Sequence, residues 1–371
     1  MFRNYRIAVG LFTAALLASA QPGSAQERFT LQGHDVALYN LAGTLRVVAG
    51  SGNAVEVEIT RAGRDASQLR IANDAIDGVP TLRVIYPGDE VVYTGLRNRS
   101  ESDFEVQDDG TFGRSSRGRR VRVVSPARAH GDGTEAHADV VLHVPAGVRL
   151  NAHWGTGNAD VTAVNGDVSV SNATGEITAH GTRGQLKLGT ASGSIDASDV
   201  DGMTSLETAS GSVHVANARG EGVRVNVASG RVTAESLHAD QIDLETASGE
   251  VRVRGVEAKQ LRVNAASGSI HAYDVVAPEA RMHTASGSIE ADLHGDVRTL
   301  LLDSSSGSVH LRLPESTNAQ FDVSTSSGSI DVDLPIQVRE QRRGHMRGTI
   351  GNGAGRISIN TASGSVTLTG R

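Results

Sequence analysis

The sequence predicts an all-β protein, a right-handed parallel β-helix or β-solenoid with coils of 18–20 residues and a β-rich cap at its N-terminal end. Three observations carry that prediction. Glycine recurs at Gly193, Gly211, Gly230, Gly249, Gly268, Gly287, Gly307, Gly328 and Gly364, with steps of 18, 19, 19, 19, 19, 20, 21 and 36 residues. A fixed period near 20 marks stacked repeats. Two and four residues after each glycine the side chain is apolar, as at Val213 and Val215, with a polar residue such as His214 between them. That alternation is a strand with one buried face. Five residues before each glycine stands a further apolar residue, such as Leu206 or Leu244, and the residue seven before is mostly apolar too, giving a second strand.

Taken in order, the elements are these. Arg3 and Arg6, the apolar run Ile7 to Ala18 and the small residues up to Ala25 read as a signal peptide over residues 1–25. Residues 26–149 lack the regular period but are β-rich, with strands expected near Val55–Ile59, Leu82–Tyr86, Val121–Val124 and Val140–Val144. Within them, VALYNLAGTLRV from Val36 to Val47 has the layout of a coil around Gly43, so the region should be continuous with the solenoid and cap its first end. Pro87 to Arg119 is polar and turn-rich and reads as a long loop or mobile hairpin.

Residues 150–371 are the solenoid, opening with weaker copies at Gly157 and Gly175. One coil buries too few aliphatic side chains to offset the entropy of ordering its backbone, so the fold belongs to the array. Successive coils should therefore lie directly over one another at about 4.8 Å, placing Val213 between Ile195 and Val232. Right-handedness follows from the crossover rule for parallel strands. Glycine suits the corner because it accepts positive φ and close backbone approach. The variable connection, Gly255 to Lys259 for example, leaves two or three strands per coil open. An insertion at 337–355, with the basic core REQRRGHMRG, accounts for the last long step and should protrude.

Composition narrows the function. The chain has 43 Gly, 3% aromatic residues and no Cys, so neither a disulfide nor a lipidated cysteine is expected. A net charge of -7 argues against general nucleic-acid binding, and no segment after the leader reaches the ~20 apolar residues of a membrane-spanning helix. The mature chain should be exported, to the periplasm, the cell surface or the medium.

From NLAGTLRV through the TASGSI ladder, the sequence resembles a bacterial family of exported β-strand-repeat proteins grouped as adhesin candidates, a domain of unknown function akin to the head-GIN type. The resemblance implies a cell-envelope or extracellular β-solenoid with an adhesive or envelope-sensing role, and it carries over no catalytic residue.

The corner serines, from Ser192 and Ser210 to Ser363, recur in every coil without a G-x-S-x-G elbow or a fixed His partner, so they read as a structural hydroxyl ladder. A Thr/Ser array ordering water would need those side chains outside, whereas they follow an inward phase. His130, Asp132, His137, Asp139 and His143 have metal-ligating chemistry, yet a solvated strand face explains them, and no metal or cofactor is expected. His214, His271 and His310 share a phase, but the nearest two lie ~10 Å apart. The arginines Arg114, Arg117, Arg119 and Arg120, and Arg339, Arg342, Arg343 and Arg347, are candidates for binding anionic glycans or phosphates through bidentate pairing. The reading is a non-enzymatic binding or envelope-structural protein, with cell-envelope glycans or envelope proteins as partners. Its alternatives are a polysaccharide-acting β-helix enzyme and a periplasmic sensing or scaffolding partner.

Overall fold

A computed structural model describes residues 26–96, 100–113, 118–129, 131 and 133–371; the signal-peptide reading of 1–25 lies outside them. About 70% of this is strand, and among the described residues the only helical element is a 3-10 turn at Ala66–Gln68. Among the described residues no helix is long and apolar enough to cross a membrane.

The coil around Gly211 shows how the sequence builds the fold. Strand Thr204–Ser210 enters the corner and Val213–Ala216 leaves it. Leu206 lies beside Leu188 and Val225, and Val213 beside Ile195 and Val232, all in parallel register. These six side chains are buried, so each apolar phase forms a continuous interior column. The structure also answers the question of a third side. Val200, Ala218, Leu237, Val256 and Val275 make another buried column, and parallel bridges link Asn165, Arg183, Asp201 and Arg219. A second corner precedes it, where Ala163, Asp199, Asn217, Ser236 and Asp274 take φ of 53° to 57°. Asn and Asp enter that left-handed region more readily than other non-glycine residues.

The glycine corner is closed by its neighbours. A Cβ on Gly249, whose φ is +150°, would lie 1.9 Å from the carbonyl oxygen of Gly230, so no side chain fits without moving backbone. That glycine carbonyl points inward, where water cannot serve it. The residue three before the next glycine supplies a donor instead: Thr246 Oγ1 to Gly230 at 3.3 Å, Thr284 Oγ1 to Gly268 at 2.8 Å, Ser304 Oγ to Gly287 at 3.0 Å. Asn172 Nδ2 and Trp154 Nε1 do the same for Gly157 and Gly43, at 2.8 and 2.7 Å. The structural hydroxyls are therefore the threonines, not the corner serines. Thr208, Thr246 and Thr284 are buried, while Ser210, Ser248 and Ser286 face solvent and their main chain takes the ladder bonds, as in Gly211 N–H to Ser229 O at 3.0 Å. The expected serine ladder is corrected accordingly: alternation runs inward through Leu206 and Thr208 and breaks at the corner, where Ala209 and Ser210 are both exposed.

Both ends depart from simple succession. Val36 lies beside Leu150 and Leu45 beside Ala159, so the Gly43 coil stacks on the Gly157 coil across more than a hundred residues of sequence. Antiparallel strands Gln26–Gln32 and Ala54–Ala62 continue the sheet past His137–Val144, and Arg70–Ile76 with Val79–Ile85 continue it past Asp35–Ala42. The loop reading of Pro87–Arg119 fails. Glu90–Val92, Glu101–Val106, Arg119–Val124 and Thr134–Glu135 form a separate four-stranded sheet, with Val91, Phe104, Val106 and Phe112 buried. Its strands are too short to stand out among the polar turns.

At the other end the last coil is interleaved. Strand Gly355–Ser363 lies between Thr299–Ser306 and Ala319–Ser327, and Val366–Gly370 lies between Val309–Leu313 and Ile330–Asp333. The insertion does not protrude as a loop: Ile336–Arg342 and His345–Ile350 form a hairpin whose second strand pairs antiparallel with Ala319–Ser327. Met346 and Ile350 are buried beneath it, which covers an edge that would otherwise be open.

Candidate ligand-binding cleft

Interleaving brings distant residues together. Arg356, at the start of the last coil, has Thr299 on one side and Gln320 on the other, and its N–H donates to the carbonyl of Arg298 at 3.0 Å. On the far side of strand Ala319–Ser327, Asp322 faces Arg347 of the hairpin. The register of the hairpin slips between Val338 and Glu340, so Arg339 is the extra residue of a β-bulge. Bulges re-aim side chains. The result is a cleft of about 650 Å³ whose charged lining is Arg298, Arg339, Arg347, Arg356, Asp322 and Glu340.

Its charges are unevenly matched. Burial acts to raise the Asp322 carboxyl, but hydrogen bonds from Arg347 at 2.6 Å and His345 at 3.0 Å, with the charge of Arg347, outweigh it and hold the group below the usual carboxylate range. Arg298 pairs outward with Glu279 at 3.2 Å, and Glu340 with Arg342 at 2.6 Å. Arg339 and Arg356 are exposed and have no ion-pair partner among the described residues. Two guanidiniums therefore face the cleft uncompensated.

Of the eight candidate arginines, two reach this cleft, Arg339 and Arg347. Arg114 and Arg117 lie outside the described residues. Arg119 is held by Asp89 at 2.8 Å and the carbonyl of Tyr86 at 3.2 Å. Arg120 forks onto Asp103 at 3.2 and 2.8 Å, and hydrogen bonding from it draws that carboxyl below its usual range. Both arginines thus tie down the small sheet. Arg342 is engaged by Glu340, and Arg343 is exposed at the hairpin turn. Sequence reasoning missed Arg298 and Arg356, because only the interleaved order makes them neighbours.

The other groupings have internal explanations. His271 sits between Glu250 and Glu290, 3.3 Å from each, and Tyr273 donates to Glu290 at 2.7 Å. Burial acts to raise Glu250, but hydrogen bonds from Arg252 and Arg231 prevail; the bond from Tyr273 lowers Glu290. Neither carboxyl is raised, as a glycosidase general acid would be. His214 lies between Asp196 and Thr233, and His310 beside Glu290 and Thr367. His137 is 3.8 Å from Asp139, which accepts from Thr44 at 2.7 and 2.8 Å. His143 shares their strand, whereas His130 and Asp132 are outside the described residues. Asp274, Asp292 and His294 converge, but Arg371 already donates to Asp292 at 3.1 Å.

Residues 203–369 match the family described as Toastrack DUF4097. The resemblance to a bacterial domain of unknown function is thereby borne out, with an all-β, solenoid-like fold. No curated protein matches. Two solved structures are similar at 10% identity: a candidate cell adhesion protein from Clostridium sporogenes, over 94% of this chain and 99% of that one at a TM-score of 0.16, and a candidate adhesin from Bacteroides fragilis, over 94% and 100% at 0.27.

Proposed function

We propose that the protein is a non-enzymatic, exported β-solenoid with an adhesin-like binding role at the cell envelope, in the periplasm, at the surface or in the medium. The finer architecture belongs to the same reading: a signal peptide at 1–25, a capping region at 26–149 continuous with a right-handed solenoid of 18–20-residue coils at 150–371, and envelope glycans or envelope proteins as partners. The observation that supports it most is the contrast in charge. Glu250 and Glu290 on the ladder are paired and held below the usual carboxylate range, while Arg339 and Arg356 line a concave surface with no ion-pair partner among the described residues. Such an arrangement suits recognition better than proton transfer. Residues 26–371, purified and tested on a glycan array and by product analysis with the same glycans, should give saturable binding and no cleavage. Turnover of any glycan would overturn the proposal.

A further inference from the structure

We infer that the cleft between the interleaved coil and the hairpin takes a carboxylated saccharide, a short uronic-acid-type segment, with Arg356 and Arg339 holding its carboxylates. The inference rests on the binding reading above and names the ligand class. Four arginines and two carboxylates line the cleft, so the lining has a formal excess of two positive charges (4 − 2). Arg298 and Arg347 are already held by Glu279 and Asp322, which leaves the pair Arg339 and Arg356. Arg356 projects from a strand hydrogen-bonded on both sides, so its base is rigid; Arg339 projects from a bulge on the first hairpin strand, three strand spacings away across Ala319–Ser327 and His345–Ile350, about 14 Å, so the two can hold carboxylates of separate sugar units. Each guanidinium can meet a carboxylate with two parallel N–H···O bonds.

The acidic members of the lining decide between anions. Asp322 and Glu340 repel a densely charged chain such as a polyphosphate or a nucleic acid, whose negative charges follow one another without a break. A saccharide presents carboxylates separated by hydroxyls. Those hydroxyls can donate to Asp322 and Glu340, and to the Gln320 side-chain carbonyl, while the carboxylates meet arginine. A cleft of about 650 Å³ falls within the usual range for small-ligand sites. The bulge gains a purpose in this arrangement: without it, alternation would turn residue 339 away from whichever face its neighbours line.

The test is isothermal titration of residues 26–371 with trigalacturonic acid, with its tri-methyl ester and with inorganic phosphate. The acid should bind, and the ester, which keeps the skeleton and removes the charges, should bind at least about tenfold more weakly. Arg356→Gln and Arg339→Gln should each weaken the acid about tenfold and together abolish binding, whereas Arg281→Gln, on an exposed site elsewhere in the ladder, should match the parent. Equal affinity for acid and ester, parent-like binding by both cleft variants, or phosphate bound as tightly as the saccharide would each overturn the inference. The ester arm needs no variant, so misfolding cannot mask the answer. If the acid fails to bind while neutral glycans are held on the array, the ligand class is wrong and the binding role survives. If the acid is cleaved, the binding role itself falls.

Discussion

The coils from Gly157 to Gly307 and the coils beyond Gly307 are made of the same letters and stacked in different orders. In the first stretch each coil lies on its predecessor, as with Ile195, Val213 and Val232. In the second, the order in space is Gly307, Gly364, Gly328: Gly307 N–H donates to Ser363 O at 2.9 Å and Gly364 N–H to Ser327 O at 3.2 Å. Register is written in each coil and stacking order is not. Any TASG corner offers its neighbour the same inward donor, the same bare glycine and the same aliphatic columns. Order at the end is set by the connections instead. Asn318 joins the two loops involved, its carbonyl accepting from Gly355 at 2.8 Å and its side chain from Asn352 at 3.0 Å. The hairpin then covers the strand that the last coil leaves outermost.

The largest effects are expected at the corners. Gly249→Val should destabilise by about 4 kcal/mol or more, read by urea titration, since its Cβ meets backbone on a fully flanked coil. Gly328→Val makes a similar clash with the carbonyl of Gly364, but on the outer coil it should loosen only the end of the stack. A parent-like melt for the Gly249 variant would refute the corner argument. Smaller effects are expected at the inward threonines. Thr284→Val and Thr361→Val remove equivalent bonds, to Gly268 at 2.8 Å and to Gly307 at 2.9 Å, one between successive coils and one between interleaved coils. Each should cost about 1 kcal/mol, and the two should agree. Val227 stands at the same phase without a donor, so Val227→Thr should stabilise by a few tenths to about 1 kcal/mol.

The hairpin contact gives a pH-dependent prediction. Asp322 is held below its ordinary value, so its contribution is complete above the unfolded carboxylate pKa of about 3.9 and is lost as pH falls through the lower folded value. Asp322→Asn should therefore lower the melting temperature by a few degrees at most at pH 7, and the gap should close as pH drops below about 4. Arg343→Ala, at the exposed turn, should leave melting unchanged.

Much of the coil was legible because strand alternation acts locally. The Leu206 and Val213 columns follow from spacing alone, and so does the Gly43 coil, whose NLAGTLRV letters repeat the pattern. Thr208 was legible in principle, being the next inward step after Leu206, but its neighbour Ser210 drew attention by its recurrence. The column through Val200, Ala218 and Leu237 has one apolar residue per side, too little for a periodicity. The cleft was half legible: Arg339 and Arg347 lie in a basic run, whereas Arg298 and Arg356 become neighbours only through a stacking order that identical corners cannot encode.

That order can be measured directly, since the chain has no cysteine of its own. In pairwise double-cysteine variants oxidised under mild conditions, His310 with Thr367 and Asp331 with Thr367 stand on adjacent strands, about 4.8 Å apart. His310 and Asp331 are separated by two spacings, about 10 Å, beyond the reach of a disulfide. The account predicts cross-links in H310C/T367C and D331C/T367C and none in H310C/D331C. Efficient cross-linking of H310C/D331C with none in H310C/T367C would show the coils stacked in sequence order and contradict it.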